Sequence, residues 1–274
     1  MGEPDVAIDP DLEVAYVSGQ GRPTWPGLLA DFAARSDVVA ASPEMRTGLA
    51  YGPHPRQRFD VAPAIGAARG SLVYLHAGYW QMRDRTPFRF LAPRFAVQGF
   101  DVILADYPLA PEATVAEITQ AVRALVPAVR AEAAARYGAA LPIVATGHSA
   151  GGHLAMELAL TDPSVWGLDA GPIAAVVALS GVFDLEPLIA TSLNRKLGLT
   201  PASARAASPV WRATGARVPA LVVVGGGETP AFVAQSRRMV AAWAAGGARA
   251  ELAIVDGADH FSLLAELATP GSAI

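Results

Sequence analysis

The sequence predicts an α/β protein: a mostly parallel sheet with helices on both faces. The first observation behind this is a rhythm. From residue 71 onward, short continuous apolar runs alternate with longer segments of helical spacing, as expected of strands buried on both faces and joined by crossover helices. The second is composition. Over 274 residues the chain is 52% hydrophobic and 17% charged, which supplies enough apolar side chain for a thoroughly buried core and argues against disorder. The length suits one large domain spanning 1–274, with a core over 71–268. Residues 1–70, rich in Pro, Gly and Asp, read as a lead-in folded over that core, with a lid as one role open to them.

Taken in order, the lead-in holds one helix near Trp25–Arg35. Ser71–His76 is the first strand, Phe88–Gln98 a helix, and Asp101–Ala105 the next strand. Thr114–Tyr137 reads as one long helix, with Pro127 as a kink site because it lacks a backbone N–H. Leu141–Ala145 is a strand and Ala150–Leu160 a helix. Ile173–Leu179 is a strand, followed by an irregular helical stretch over Leu185–Ala207. Ala220–Val224 and Arg249–Val255 are the last strands, separated by a helix over Ala231–Ala245, and a short helix follows Phe261. In such a sheet, functional residues sit on the loops at the carboxyl ends of the strands.

Several function classes are set aside by composition. Net charge is −4, and the basic residues, nearly all Arg with Lys196 the only lysine, are scattered, so neither nucleic acid nor an anionic membrane is an expected partner. There is no cysteine, which removes disulfides, thiolate metal sites and cysteine nucleophiles. The acidic start lacks the apolar stretch of a signal peptide, and no apolar run reaches the roughly 18 residues of a membrane helix. The expectation is a soluble cytoplasmic protein with a small-molecule substrate as partner, a homodimer being one assembly open to it. His148 and His153 lie five positions apart, about 140° off a common helical face. They do not form a chelating pair, and neither a metal nor a cofactor is expected.

The strand ends carry the chemistry. Gly147-His148-Ser149-Ala150-Gly151 stands between a strand and a helix. A Gly-x-Ser-x-Gly pentapeptide there is the mark of a nucleophile elbow, a turn so sharp that only small neighbours avoid a clash. The alternative is a Gly-rich turn with Ser149 capping the helix. Gly225-Gly226-Gly227-Glu228 follows the strand at 220–224, and Asp256-Gly257-Ala258-Asp259-His260 follows the last strand. The strand ends thus deliver a serine, an acid and a histidine, in that order. A serine hydroxyl needs a base within hydrogen-bond reach, which His260 supplies, and a carboxylate must hold the imidazole and stabilise its cation. Glu228 is the favoured acid, with Asp256 and Asp259 as rivals. His76-Ala77-Gly78-Tyr79-Trp80, after the first strand, fits an oxyanion loop. Its Gly78 or Tyr79 amide and the amide of Ala150 are the expected donors to a developing oxyanion. His76 braces the loop, and Trp80 with Tyr79 is a candidate aromatic wall, to which Phe183 or Trp166 would add.

These motifs resemble the kynurenine formamidase (arylformamidase)-like and esterase branch of the α/β-hydrolases. His76-Ala77-Gly78-Tyr79-Trp80-Gln81 is similar to the HGGYW motif of that branch, and the likeness runs through Tyr51-Gly52, Phe59-Asp60, Asp106–Pro111, Gly147–Leu154, Gln235-Ser236 and Asp259–Phe261. The resemblance implies an α/β-hydrolase fold and a triad of Ser149, an acid and His260 working without a cofactor. It also implies a substrate pocket near His76 and Trp80, and hydrolysis of a small N-formyl aryl amide such as N-formylkynurenine. General carboxylesterase activity on short esters is the second reading, and a non-catalytic ligand-binding homologue the third. Two departures stand out: Ala77 replaces a glycine of the motif, restricting the loop backbone, and Glu228 stands where relatives often carry Asp.

Overall fold

A computed structural model describes residues 7–272 and arranges eight strands in one sheet of order β1-β2-β4-β3-β5-β6-β7-β8. The strands are β1 Arg46–Ala50, β2 Arg58–Ala62, β3 Gly70–Leu75 and β4 Phe100–Ala105, then β5 Ile143–His148, β6 Ile173–Leu179, β7 Ala220–Gly225 and β8 Ala250–Val255. From β4 to β8 every neighbouring pair is parallel; β1 pairs antiparallel with β2, and β2 antiparallel with β4. The helices are α1 Pro10–Tyr16, α2 Trp25–Ala40, α3 Ala92–Ala96, α4 Val115–Arg123 and α5 Leu125–Tyr137. They continue as α6 Ala150–Ala159, α7 Asn194–Leu197, α8 Pro201–Ala206, α9 Pro230–Ala245 and α10 Ser262–Ala268. Among the described residues, no helix is long and apolar enough to cross a membrane.

Each continuous apolar strand divides its residues between two cores, because successive side chains point to opposite faces. In β3 and β4, Val73, Leu75, Ile103 and Ala105 join the core under α4–α6 and α9. Leu72, Tyr74, Val102 and Leu104 join the other, which holds Phe32 of α2 and Leu263, Leu264 and Leu267 of α10.

Three expectations are corrected. The sheet does not begin at residue 71, since β1 and β2 come from the lead-in. Neither announces itself in the sequence: β1 is largely exposed, and β2 carries Asp60 at its centre. That carboxylate is fully buried and held by Arg85 at 2.9 Å, Arg89 at 2.7 Å and the Gly48 amide at 2.8 Å. Second, the helix expected over Thr114–Tyr137 is two helices meeting at Ala124. Pro127 has no N–H for the carbonyl of Arg123, four residues earlier, and the indole of Trp166 donates to that carbonyl instead, at 2.9 Å. This also takes Trp166 out of the proposed aromatic wall. Third, Phe88–Gln98 is a 3-10 turn over Thr86–Leu91 followed by α3.

Three histidines are wholly buried: His76 after β3, His148 ending β5 and His153 on α6. Burial drives His76 down to about 3 and His153 to about 4, and it holds His148 well below its ordinary value, with His260 adding to the effect.

Two predictions follow from this packing. Asp60→Ala leaves Arg89 buried against no counter-charge and lowers unfolding stability by about 3–5 kcal/mol, read from urea midpoints. Acid sensitivity follows from the histidines. Their folded pKa values lie below the unfolded one, so beneath about pH 6.5 the unfolded chain binds more protons than the native one. Stability is present above that pH and falls with acidification, each histidine contributing a slope of about 1.4 kcal/mol per pH unit. Urea midpoints are expected to change little between pH 7 and 8 and to fall steeply between pH 6.5 and 5.

Candidate active site

The site is assembled at the carboxyl ends of β3, β5, β6, β7 and β8. At the end of β5 the chain reverses into α6 through Ser149, whose φ of 57° and ψ of −117° lie far from any helical or extended well. The Ser149 amide donates to the carbonyl of Leu179 on β6 at 2.8 Å, which fixes the turn against the neighbouring strand. Strain of this kind persists only where the surroundings over-determine it. The Ser149 side chain makes no capping bond to α6, so the alternative of a plain helix cap does not hold.

Gly151 shows how tightly the elbow meets the loop after β3. A Cβ there would lie 1.9 Å from the Leu75 carbonyl oxygen and 2.7 Å from that of His76. The two backbones are in direct contact, and Ala150, the first residue of α6, brings to this contact one of the amides a helix start leaves without an intrahelical partner. Across from it, Gly78 has φ of 133° and would place a Cβ 2.1 Å from the Met82 carbonyl, so this position admits only glycine. Tyr79 and Trp80 follow, with φ of 50° and 58°. Ala77 takes no left-handed conformation and is buried, so the substitution does not restrict the loop as the resemblance implied.

His76 and Trp80 are both fully buried. The Nδ1–H of His76 donates to the Ala77 carbonyl at 2.7 Å, its ring stacks on Tyr107 at 4.2 Å, and the Tyr107 hydroxyl donates to its carbonyl at 2.7 Å. Trp80 packs edge-on against His153 at 5.0 Å, and Phe183 is likewise buried in the core. These side chains therefore brace the site from behind; they do not line an open pocket.

The carboxylate nearest His260 is that of Glu228. Its Oε2 accepts the Nδ1–H of His260 at 2.7 Å. Its Oε1 accepts from the Gly225 amide at 2.9 Å and from the hydroxyl of Ser180. Oε2 also accepts from the Gln20 side chain at 3.2 Å. Burial pushes the Glu228 carboxyl up, but His260 and these hydrogen bonds outweigh it and hold the group below its ordinary value. Asp259 faces elsewhere, accepting from the amides of Phe261 and Ser262, both at 2.9 Å, and from the Trp25 indole at 3.2 Å. Asp256 is exposed. Glu228 is also not a cap of α9, which follows Thr229.

The imidazole of His260 is enclosed by aromatic rings. His148, immediately before Ser149, lies 4.4 Å from it, Phe232 5.0 Å, Phe261 5.5 Å and Trp25 6.1 Å. Ser149, Glu228 and His260 are each less than a tenth exposed. Among the described residues, no three His, Asp or Glu side chains gather as metal ligands would.

Ser180, Gln20 and Trp25 are absent from the residues picked out by sequence. Ser180 directly follows β6 and was within reach of the strand-end rule; it sits at φ of 48° to aim its hydroxyl at Glu228. Gln20 and Trp25 carry no local signal, since they meet Glu228 and His260 across more than 200 residues of chain.

Known proteins share this fold. A family model described as alpha/beta hydrolase fold matches residues 72–205. The kynurenine formamidase of Danio rerio is 29% identical over 225 residues, covering 79% of this chain and 75% of that protein. That of Salmo salar is 29% identical over 257 residues, covering 88% and 86%. Among solved structures, a Silicibacter sp. protein described as a candidate thioesterase is 33% identical with a TM-score of 0.83, covering 96% of this chain and 97% of its own. A Pyrobaculum calidifontis esterase shares the fold with a TM-score of 0.66 at 19% identity, over 96% and 93% of the two chains. The motif resemblance is thus borne out over nearly the whole length, and the chain belongs to the α/β-hydrolase family.

Proposed function

We propose that the protein is a serine hydrolase that cleaves a small N-formyl aryl amide, of the N-formylkynurenine kind, through an acyl-enzyme. The observation that carries this reading is the buried contact at 2.7 Å between Glu228 and the Nδ1 side of His260, beside the strained elbow at Ser149. With Nδ1–H committed to the carboxylate, Nε2 is left as the basic nitrogen. It takes the proton as Ser149 Oγ attacks the formyl carbon. The oxyanion that forms meets the amides of Ala150 and of Gly78 or Tyr79. Collapse expels the aryl amine, which takes the proton from His260. Water, deprotonated by the same nitrogen, then attacks the formyl ester, releasing formate and restoring the serine. Glu228 stays ionised throughout and stabilises the imidazolium, in keeping with its depressed pKa.

The small acyl group is supported by burial, because Ser149 is only 1% exposed. Similarity to the kynurenine formamidases of Danio rerio and Salmo salar supports a formyl group as the acyl part of the substrate. A second reading, hydrolysis of short esters or thioesters, is favoured by the higher identity to the Silicibacter protein.

A substrate panel separates the readings. Turnover of N-formylkynurenine should exceed that of aryl acetates; a ratio favouring the acetates discards the formamidase reading and leaves the esterase. Ser149→Ala should reduce turnover of any accepted substrate by at least about 10³-fold and abolish labelling by a fluorophosphonate. If the native protein is not labelled, it is a binding protein. Glu228→Gln, which permits the wrong imidazole tautomer, should lower kcat by about 10³–10⁴-fold with the fold intact by circular dichroism.

A further inference from the structure

The segment before α2 is built into the catalytic end of the sheet. After α1 the chain makes a 3-10 turn over Ser18–Gln20 and crosses the loop that carries Glu228. Arg22 donates to the Gly227 carbonyl at 2.7 Å, and the Thr229 hydroxyl donates to the Ala15 carbonyl at 2.6 Å. The Tyr79 hydroxyl, from the loop after β3, donates to the Tyr16 carbonyl. This strap therefore joins the acid loop to the candidate oxyanion loop.

At its centre lies Gln20, 4% exposed. Its side-chain oxygen accepts from the Thr229 amide at 3.4 Å, and its nitrogen donates to Glu228 Oε2 at 3.2 Å. The amide orientation is forced, since the opposite one would set oxygen against carboxylate and N–H against N–H. Oε2 is the same oxygen that receives His260. Gln20 and His260 thus compete for the electron density of one atom.

We infer that Gln20 is a positioning residue of the triad, holding the Glu228 carboxylate in register and moderating its pull on His260. This rests on the proposed roles of Ser149, Glu228 and His260. A carboxylate accepts about four hydrogen bonds, and Glu228 has all four, from Gly225, Ser180, His260 and Gln20. Taking away the neutral donor on Oε2 concentrates charge on that oxygen, which tightens its bond to His260 and favours the imidazolium. Other titratable and charged groups stand near the pair: His148 from β5, Tyr79 from the loop after β3, and Arg22 from the strap. On the histidine's own loop Asp259 is turned to Trp25, and Arg83 lies across the Phe261 ring at 4.7 Å. None of them donates to Glu228 Oε2, so Gln20→Met takes from that oxygen its one neutral donor, and with it goes the longer 3.4 Å bond that Gln20 accepts from the Thr229 amide.

The test compares the full-length wild type with Gln20→Met, which keeps the side-chain length and removes the donor. Arg22→Ala serves as control, loosening the strap without touching the carboxylate. Two quantities are read: the acidic limb of the kcat/KM pH profile, and the low-field proton resonance of His260 Nδ1–H by NMR. Gln20→Met is expected to move the acidic limb up by about half to one pH unit and the proton resonance downfield. Arg22→Ala is expected to leave both in place. An unmoved limb and resonance in Gln20→Met, or equal movement in Arg22→Ala, overturns the inference. Should Gln20→Met not fold, Gln20→Asn, whose amide falls one methylene short, gives the same readings. The resonance needs no substrate, so a wild type that turns nothing over would defeat the hydrolase reading while the proton still decides the role of Gln20.

Discussion

A buried carboxylate holds this end of the molecule together. Ionised Glu228, 7% exposed, would be costly to bury alone, and its cost is met by one donor from its own loop and three from distant parts of the chain. The Gly225 amide ends β7, Ser180 follows β6, His260 follows β8 and Gln20 belongs to the segment before α2. Each partner is placed by a different element, so the carboxylate is satisfied only when the parallel half of the sheet and the N-terminal strap are in place together. The same satisfaction keeps the group charged and fixes which nitrogen of His260 faces it.

The elbow obeys a related constraint. A serine at φ of 57° is held by its amide bond to β6 and by the contact of Gly151 with the loop after β3. That contact leaves no room for any side chain at 151. Strain at 149 and close approach at 151 have one consequence: the start of α6 is pressed against the backbone at the end of β3.

Charge burial recurs at the other end of the sheet. Asp60 breaks the apolar pattern of β2 and is balanced by Arg85 and Arg89 from the turn after the Gly78 loop. Arg85 also pairs with Asp106 after β4, and Asp106 stands 3.7 Å from the imidazole of His76. The antiparallel strands thus brace the candidate oxyanion loop, which ties a lead-in of unpromising composition to the candidate site.

The sequence by itself determined the parallel half of the fold and pointed to Ser149, Glu228 and His260 as candidates at its strand ends. Short continuous apolar runs bounded by turn residues read as strands buried on both faces, and a Gly-x-Ser-x-Gly junction, an acid after the strand at 220 and a histidine after the last strand are local signals, each readable within about ten residues. Tertiary structure decided everything that depends on partners far away in the chain. It brought Glu228, and neither Asp256 nor Asp259, against His260, because only the folded loops show that Asp259 is engaged by Trp25 and the start of α10. It turned His76, Trp80 and Phe183 inward as bracing, revealed β1 and β2 in a segment with no strand pattern, and supplied Ser180 and Gln20 as donors. The physical reason is common to all of these. A hydrogen bond to a buried charge depends on where the chain returns in space, and a sequence records that only through the packing of the whole molecule.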